Sequence, residues 1–378
     1  MIYSQNLNEK NPSLSLAEWI TGIPVIYFPA GLIAAAIRFK NSLQENSKLH
    51  VITEDVIEAC HNGIVSWERS SNAQPILIEG TDDYVKTKER WDILKDYFNG
   101  EKIEWTNARV HVLNHGLHYG SCVFEGERVY DGEIFKLEEH TERLFYSASR
   151  MEIKIPYGQK EINKACKEMV LVQKVKNGYV RPLVWRGSEM MAISAQKNTI
   201  HVAIATWEWG SYFDPELKLK GIKLNISSWR RPNPNSVPWD TKSSGLYMIC
   251  TLSKHEAESK GFTDSLMLDH EDNIAESTGA NIFFKNEKNE IHTPIPDSFL
   301  DGITRRCVID IAKSKGIKII VRKIKPDEMS SFSGCFLTGT AAEVTPVSQI
   351  DKYKFNVCNV IKDLSESYQA LVQKKTAA

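Results

Sequence analysis

Apolar and polar positions alternate along this chain in a way that predicts both strands and helices. The most apolar stretch covers residues 20–37, and glycine and proline residues interrupt its first half. A membrane-spanning helix needs about 20 consecutive apolar residues without such breaks. The stretch therefore predicts a buried strand over Pro24–Phe28, followed by a buried helix over Gly31–Phe39.

The rest of the first hundred residues has the pattern of a small unit with its own elements. A helix is predicted over Glu54–His61, because acidic residues at its start favour a helix N-terminus. A short strand is predicted over Ile76–Ile78. The charged stretch Asp82–Asp96 is typical of a solvated helix or a linker. An Asn-Gly pair within Tyr97–Ile103 predicts a β-hairpin, and strand-like alternation continues through Arg109–Val112.

The remaining chain predicts strands and helices in irregular order. Helices are predicted over Leu137–Met151, over Leu246–Lys260, and from Gly302 to Ser314; strands are predicted over Val180–Val184, Ile200–Ala205 and Cys335–Leu337. Because strands and helices do not alternate regularly, an α+β fold is favoured over a doubly wound parallel sheet.

Composition narrows the class of protein. The chain has 378 residues with 42% hydrophobic positions, which supports large buried cores, and this length corresponds to about two to three domains. Its 47 basic and 48 acidic side chains give a net charge of −1, so no excess of positive charge exists for nucleic acid or a membrane surface. We therefore expect a globular protein, most simply an enzyme.

Cysteine usage indicates a reducing compartment. The 7 cysteines include no Cys-x-x-Cys pair, which in a chain of this length is typical of free thiols. Cys60 and His61 are adjacent but lack further ligands at metal-binding spacing, so no metal site is predicted. The N-terminal residues lack a basic segment followed by an apolar core, so we expect no signal peptide and a cytoplasmic location.

One lysine stands out as a candidate for chemistry. Lys242 lies among small residues, Ser243, Ser244 and Gly245, just before an apolar helix. Lysine is rarely buried unless it is paired or used chemically, and the small neighbours leave room for a planar ligand beside a Schiff-base amine. A solvated loop lysine remains the alternative from this segment alone.

Two glycine turns could bind an anion. Gly302 leads into a helix, which directs the N–H groups of Ile303 and Thr304 outward, and Gly339-Thr340 follows a predicted strand. Each turn alone is also compatible with an ordinary turn. Together with an enclosed lysine, they suit a phosphorylated aldehyde cofactor.

Segments containing these residues resemble those of fold-type IV pyridoxal-phosphate enzymes, specifically branched-chain amino acid aminotransferases. The matching segments, in the family's order, are His118–Gly120, Phe124–Arg128, Tyr179–Pro182, Lys242–Tyr247, Ala275–Phe283, Gly302–Arg305 and Thr338–Glu343. The similarity extends from Tyr97 to Leu371. The first 95 residues match nothing in that family.

The resemblance implies a role for each cofactor-binding residue. Lys242 would link covalently to pyridoxal 5'-phosphate and would carry the proton between substrate and cofactor. Glu276 would hydrogen-bond the pyridine nitrogen, and Tyr247 would donate to the phenolic oxygen. Arg143 would pair with the phosphate through its guanidinium fork. The other phosphate donors would be Ile303, Thr304 and Thr340.

The resemblance also implies a substrate pocket. The apolar part would comprise Phe124, Trp209, Tyr212 and Tyr247, with Tyr119 joining from the same subunit or a neighbouring one, and Arg128 belongs to the same segment as Phe124. Arg181 would receive the distal carboxylate of glutamate or 2-oxoglutarate. Tyr179 and the Thr340-Ala341 backbone would bind the α-carboxylate.

The expected architecture is α+β, with two aminotransferase lobes preceded by a small α/β module. The predicted boundaries are 1–95 for the N-terminal extension, 96–220 for the small lobe and 221–378 for the large lobe with the cofactor lysine. The extension is hypothesised to pack on the enzyme or to support oligomer contacts, because so short a unit is marginally stable alone. A homo-oligomer is expected, either a dimer or a hexamer.

The implied activity is reversible transamination between leucine, isoleucine or valine and 2-oxoglutarate, which gives branched-chain 2-oxo acids and glutamate. Two other classes remain open: a D-amino acid aminotransferase or aminodeoxychorismate lyase, and a non-enzymatic regulatory or assembly protein that uses the fold as a scaffold. The preference among the three amino acids and the direction, biosynthetic or catabolic, also stay open.

Overall fold

The computed structural model describes residues 12–61, 72–99, 102–210, 213 and 220–373. The chain divides into two compact units, Met1–Arg109 and Val110–Ala378. Each unit has its own sheets and its own apolar core. The predicted boundaries at 95/96 and 220/221 remain a proposal.

The first unit is built on a three-stranded parallel sheet in the order β2-β1-β3. Its strands are β1 (Ile23–Phe28), β2 (Ile52–Asp55) and β3 (Ala73–Leu77), and its helices are α1 (Pro12–Trp19), α2 (Ile33–Ser47), α3 (Val56–His61) and α4 (Val85–Asn99), with short 3-10 turns at Ala30–Leu32 and Trp105–Asn107. The predicted strand at Pro24–Phe28 is confirmed. The buried helix predicted at Gly31–Phe39 is only partly right: α2 begins at Ile33, and among its described residues only Ala36 is buried, because α2 packs on the sheet along one side.

Strand β1 carries the core of this unit on both faces, because successive side chains of a strand point to opposite sides. Ile26 packs with Ala36 of α2 on one face. Tyr27 packs with Trp91 and Leu94 of α4 on the other face. A central parallel strand covered by helices on both faces is buried along its length, which explains the continuous apolar run in the sequence.

Two predictions near the end of this unit are wrong. The proposed hairpin at Tyr97–Ile103 begins inside α4, which continues to Asn99. The Asn-Gly pair is typical of helix ends as well as hairpin turns, and no breaker precedes it within α4. Residues Arg109–Val112 contain no strand.

The helix predicted from Glu54 begins later than expected. Glu54 and Asp55 belong to strand β2, and the helix starts at Val56. The Asp55 carboxylate accepts a hydrogen bond from the Ile57 N–H at 2.8 Å. Asp55 therefore supplies the acceptor for the first helical turn, which is the role of an N-cap residue.

The second unit begins with a smaller lobe around a five-stranded sheet, in which β7 pairs with β4, β5 and β8. Its elements are α5 (His115–Tyr119), β4 (Cys122–Phe124), β5 (Glu127–Tyr130), β6 (Glu133–Ile134), α6 (Leu137–Arg150), α7 (Gln159–Val172), β7 (Gly178–Arg186) and β8 (Ile200–Glu208). The core packs Leu144 of α6 and Cys166 of α7 against Val180 of the sheet.

The larger lobe contains a nine-stranded sheet. Its strands are β9 (Ile222–Arg230), β10 (Asp264–Leu268), β11 (Ile274–Ser277), β12 (Asn281–Asn286), β13 (Ile291–Thr293), β14 (Ile319–Val321), β15 (Phe332–Gly339), β16 (Glu343–Ile350) and β17 (Tyr353–Lys354). Its helices are α8 (Met248–Ser259), α9 (Ile303–Ser314) and α10 (Asn359–Val372), with 3-10 turns at Ser244–Tyr247 and Pro326–Ser331.

This larger sheet closes on itself. The strand order runs β11-β10-β9-β16-β15-β12, and β11 also pairs with β12, so the path returns to its start. Leu224, Leu266, Ile282 and Leu337 are fully buried in one core cluster of this lobe. A closed sheet fixes the strand ends that lead into the site, because no strand of the ring can slide independently.

The two lobes meet at the loop that carries Lys242. The Phe124 N–H of β4 donates to the Lys242 carbonyl oxygen at 3.1 Å, and Val123 forms an isolated bridge with Ser243. The Lys242 N–H donates to Ser147 Oγ at 3.0 Å. The two-lobed α+β arrangement with a small α/β unit before it agrees with the prediction. No helix in the described ranges is long and apolar enough to cross a membrane.

Candidate active site

A pocket in the second unit gathers the residues predicted to hold the cofactor. It encloses about 590 Å³, the open space at its mouth included. Every predicted cofactor-binding residue lines it: Arg143, Lys242, Tyr247, Glu276, Ile303, Thr304 and Thr340. Residues from distant parts of the chain thus come together in one cavity.

Lys242 lies in the pocket rather than in solvent. Its Nζ donates to Tyr247 Oη at 2.8 Å and lies 4.9 Å from the centre of the Phe124 ring. Burial lowers the pKa of Lys242, and the positive charge of Arg143 lowers it further. A lower pKa increases the fraction of neutral amine, which is the form that attacks a carbonyl group.

Glu276 is a buried carboxylate on β11. Its Oε1 lies 3.5 Å from Arg231 Nε, and its Oε2 accepts from Asn281 Nδ2 at 3.3 Å. Burial raises the pKa of Glu276 to about 7, although the positive charges of Arg231 and Lys242 act in the opposite direction. The carboxylate is thus poised to hold or release a proton near neutral pH.

The N-terminus of helix α9 forms another wall of the pocket. The Gly302 N–H donates to Asn281 Oδ1 at 3.0 Å, and a Cβ on Gly302 would lie 2.3 Å from that oxygen, so a larger residue would displace the Asn281 amide. The N–H groups of Ile303 and Thr304 lie in the first helical turn, where no intrahelical acceptor exists. They can therefore bind an anion.

A second set of donors comes from the end of β15 and from helix α6. Thr338 and Thr340 line the pocket, and the Thr338 hydroxyl is buried without a hydrogen-bond partner among the described residues. Arg143 contributes a guanidinium from α6. An unsatisfied buried hydroxyl and a guanidinium beside a helix N-terminus make an environment that suits a phosphate group.

Several residues predicted for substrate binding lie around Phe124. The Arg181 guanidinium lies 4.6 Å from the Phe124 ring centre and 5.4 Å from that of Tyr179. The Phe124 and Tyr247 rings meet edge to face at 4.9 Å, and Trp209 meets Tyr179 in the same way at 4.8 Å. Arg181 thus links the two aromatic pairs, and the contacts run from Lys242 through Phe124 to Tyr179 and Trp209.

Of the other residues predicted for substrate binding, two donate to backbone carbonyl oxygens, one lies in a turn and one falls outside the described residues. Arg128 donates to the Gly210 carbonyl oxygen at 2.8 Å. Tyr119 is 47% exposed and donates to the Met191 carbonyl oxygen at 3.1 Å. Ala341 lies in the turn between β15 and β16, and Tyr212 falls outside the described residues. Of the described residues predicted for substrate binding, only Tyr247 lines the pocket; the others lie outside its lining, namely Tyr119, Phe124, Arg128, Tyr179, Arg181, Trp209 and Ala341. The neighbouring subunit suggested for Tyr119 stays a prediction.

Sequence reasoning gave no role to several residues that the structure brings to the site. Arg231 lies directly after β9 beside Glu276, and no local pattern in the sequence distinguishes it from the adjacent Arg230. Asn281 lies in a matching segment, and the structure shows that it joins Glu276 to Gly302. Glu125 binds Arg143 from the end of β4, 18 residues earlier in the sequence and on a different element. Such contacts depend on the tertiary fold.

The residues present fit pyridoxal phosphate. A lysine amine with a lowered pKa, a buried carboxylate and an anion-binding end with an unsatisfied hydroxyl lie in one cavity. These groups match the aldehyde, the ring nitrogen and the phosphate of that cofactor. Among the described residues, no cluster of His, Cys, Asp and Glu could hold a metal ion.

Comparison with protein families separates the two units. Residues 122–350 match the model described as amino-transferase class IV. Residues 9–114 match a different model, described as the bacterial phospho-glucose isomerase C-terminal SIS domain. The N-terminal residues, which matched nothing in the aminotransferase family, are therefore similar to part of another family.

Known proteins are similar to the second unit over most of their length. The branched-chain-amino-acid aminotransferase of Pseudomonas aeruginosa is 40% identical over 289 residues, which is 75% of this chain and 94% of that protein. The branched-chain amino acid aminotransferase of Escherichia coli, as a solved structure, has a TM-score of 0.70 at 32% identity and covers 74% of this chain and 94% of its own.

Structures with bound ligands support the same relationship. A T.th. branched-chain amino acid aminotransferase with pyridoxamine 5'-phosphate has a TM-score of 0.71 at 37% identity and covers 74% of this chain and 93% of its own. The same enzyme complexed with N-(5'-phosphopyridoxyl)-L-glutamate has a TM-score of 0.70 at 36% identity, with 74% of this chain and 93% of that one covered. The chain belongs to the class IV aminotransferases and, within them, to the branched-chain amino acid aminotransferases.

Proposed function

We propose that this protein transfers amino groups reversibly between leucine, isoleucine or valine and 2-oxoglutarate, with pyridoxal phosphate as its cofactor. The observation that carries the proposal is the cavity in which Lys242 Nζ lies 2.8 Å from Tyr247 Oη, and which Glu276 and the α9 N-terminus also line. Relatives at about 40% identity that bear the branched-chain name support the same class of substrate.

Pyridoxal phosphate, when bound, acts as an electron sink for the substrate Cα and carries the amino group between the two half-reactions. Lys242 is the base that removes the Cα proton and the acid that returns a proton, because its amine is buried and its pKa is lowered. Tyr247 orients that amine through the hydrogen bond at 2.8 Å.

Glu276 acts at the opposite chemical end of the cofactor. Its carboxylate holds the proton at the pyridine nitrogen, and a protonated ring withdraws electrons more strongly. Arg231 favours the ionised form of Glu276, since it lies 3.5 Å away and opposes the effect of burial on the pKa. Ile303, Thr304 and Arg143 line the same pocket and would hold the phosphate, which would restrict how the cofactor can be placed relative to Lys242.

The substrate side chain must be accommodated both as an apolar group and as a carboxylate. Aromatic surfaces of Phe124 and Tyr247 suit leucine, isoleucine and valine. Arg181 suits glutamate, because its Nε is buried without a hydrogen-bond partner among the described residues, and its Nη2 makes only a 3.4 Å contact with Tyr179 Oη. One similar structure is a complex with N-(5'-phosphopyridoxyl)-L-glutamate, which supports glutamate as the second substrate.

A panel of amino donors tests the proposal directly. Purified holoenzyme is mixed with each amino acid alone, and the absorbance change of the bound cofactor is followed. We expect L-leucine, L-isoleucine, L-valine and L-glutamate to react, and D-alanine and 4-amino-4-deoxychorismate not to react. Reaction with the D-amino acid or with the chorismate derivative would move the protein to the alternative class IV activities, and a colourless protein that binds no added cofactor would favour a non-enzymatic role.

Arg181→Ala is expected to separate the two half-reactions. Loss of a partly buried charge partner costs about 2–5 kcal/mol, so kcat/KM for glutamate should fall on the order of 100-fold. Leucine carries no distal charge, and its kcat/KM should fall less than about tenfold. The two half-reactions are measured by cofactor absorbance in the same preparation, so leucine serves as the internal control. Equal losses for both substrates would remove the role of Arg181.

A further inference from the structure

A buried ionic cluster lies behind the phosphate-binding arginine. It consists of Glu125, His140 and Arg143, and we call it the Glu125 cluster. Glu125 directly follows β4, whereas His140 and Arg143 lie on helix α6. The cluster therefore ties the strand that borders Lys242 to the helix that supplies the phosphate arginine.

The contacts within the Glu125 cluster are short and specific. Arg143 Nε donates to Glu125 Oε1 at 2.7 Å, and Arg143 Nη2 donates to Oε2 at 2.9 Å. His140 Nδ1 lies 2.7 Å from the same Oε2, and the Gly126 N–H donates to it at 3.2 Å. The two-bond fork fixes the plane of the guanidinium, as is typical of arginine–carboxylate pairs.

The remaining guanidinium nitrogen of Arg143, Nη1, has no acceptor among the described residues, while Arg143 lines the pocket. The fork on Glu125 thus uses one edge of the guanidinium and leaves the rest for a ligand. Glu125 itself is 0% exposed. An arginine beside a lysine amine in a buried site needs such a compensating charge, because an unpaired buried charge is strongly unfavourable.

The charge states agree with this geometry. Burial alone would raise the pKa of Glu125, but the positive charge of Arg143 and the His140 contact hold it well below its usual range, so the carboxylate is ionised. Burial lowers the pKa of His140, which makes it a neutral hydrogen-bond donor near pH 7. The cluster is therefore one anion and one cation with a neutral histidine.

We propose that Glu125 is the positioning residue of the cofactor phosphate site: it orients the Arg143 guanidinium toward the phosphate and compensates its charge beside Lys242. The proposal rests on pyridoxal phosphate as the cofactor. In this proposal, Glu125 touches neither the cofactor nor the substrate, and it acts only through Arg143. Its replacement should therefore weaken recognition of the phosphate group and leave recognition of the pyridoxal ring in place.

The chain offers a matched control two residues away. Glu127 on β5 is 1% exposed, and both of its carboxylate oxygens are buried without a partner among the described residues. Burial raises the pKa of Glu127 well above its usual value, and the nearby Glu125 charge adds to this, so the neutral form of Glu127 is favoured. Glu125→Gln removes the carboxylate that binds Arg143, whereas Glu127→Gln replaces a buried side chain that has no hydrogen-bond partner among the described residues by one of the same shape.

The experiment compares the affinity of cofactor-depleted full-length protein for pyridoxal 5'-phosphate and for pyridoxal, which lacks the phosphate. We expect Glu125→Gln to weaken the affinity for pyridoxal phosphate on the order of tenfold or more, by analogy with metal sites, where loss of the residue that orients a ligand has an effect of about this size. Its affinity for pyridoxal should change less than about twofold. Glu127→Gln should match the wild type for both ligands.

Two further measurements separate positioning from misfolding. At saturating pyridoxal phosphate, the cofactor absorbance of Glu125→Gln should return to that of the wild type, because Lys242 is intact. When Glu125→Gln is added to Arg143→Met, the affinity for pyridoxal phosphate should fall little further, since Glu125 acts through Arg143. Equal weakening of both ligands, equal behaviour of the two glutamine variants, or full additivity with Arg143→Met would each overturn the proposal. If the wild type binds neither ligand, the cofactor assignment itself has failed.

Discussion

Replacement of Lys242 by alanine is expected to lower transamination by at least about 10⁴-fold, because in the proposed mechanism this one side chain supplies both the covalent attachment and the proton transfer at Cα. The amine lies against Tyr247 Oη and over Phe124, and no other amine lines the pocket among the described residues. The measurement is the initial rate with leucine and 2-oxoglutarate, together with the absorbance spectrum of the protein with added cofactor. The variant should lack the visible band that arises from the covalent link.

A second buried lysine provides the control for this result. Lys285 on β12 is 8% exposed, and its Nζ donates to Ser333 Oγ at 3.3 Å, but it does not line the pocket. Lys285→Met should keep the visible band and the cofactor stoichiometry, whatever it does to thermal stability. A visible band that survives in Lys242→Ala would assign the covalent link to another amine.

Replacement of Glu276 by glutamine is expected to lower kcat about 10²–10³-fold, which is the usual effect of removing one electrostatic partner of a developing charge. Glutamine has the same shape and can still accept from Asn281 Nδ2, which lies 3.3 Å from Glu276 Oε2 in the wild type. It cannot hold a proton on the pyridine nitrogen, so removal of the Cα proton becomes slow. Half-reaction rates with leucine measure this, and Glu127→Gln is the buried-glutamate control.

The same substitution should change how the stability of the cofactor-free protein depends on pH. The pKa of Glu276 is raised by burial from 4.5 to about 7, so the folded state holds a proton that the unfolded state releases. Stability from this group is therefore full below pH 4.5 and is lost as the pH rises through about 7. In urea titrations at pH values between 4.5 and about 7, the free energy of unfolding of Glu276→Gln should therefore lack this decrease. Parallel curves for variant and wild type would contradict the raised pKa.

Much of the site could be predicted because its chemistry lies in short contiguous segments. Lys242, the Gly302 turn and Glu276 each carry a local signal, namely small neighbours, a glycine before a helix, and a carboxylate in a matching segment. The structure brings all of them to one cavity. Local signals suffice where a turn or a helix start determines the direction of the functional group.

Other features depended on contacts that no local pattern contains. The family resemblance predicts Arg143, but its fork on Glu125 requires α6 to lie against the end of β4. The hairpin predicted at Tyr97–Ile103 failed because Asn-Gly suits a helix end equally well. The start of α3 moved to Val56 because Ile52–Asp55 pairs with β1 as a strand. At Arg143 and at α3, tertiary pairing decides what local preference leaves open.

The side chain of Asn281 has a consequence for the energetics of ligand binding. One amide bonds Glu276 through Nδ2 and the Gly302 N–H through Oδ1, so it joins the ring-nitrogen end of the pocket to the start of α9. If a ligand at one end of the pocket reorients this amide, the hydrogen bond that the amide makes at the other end changes as well. Thermodynamic linkage makes such an effect mutual: the factor by which phosphate strengthens ring binding equals the factor by which the ring strengthens phosphate binding.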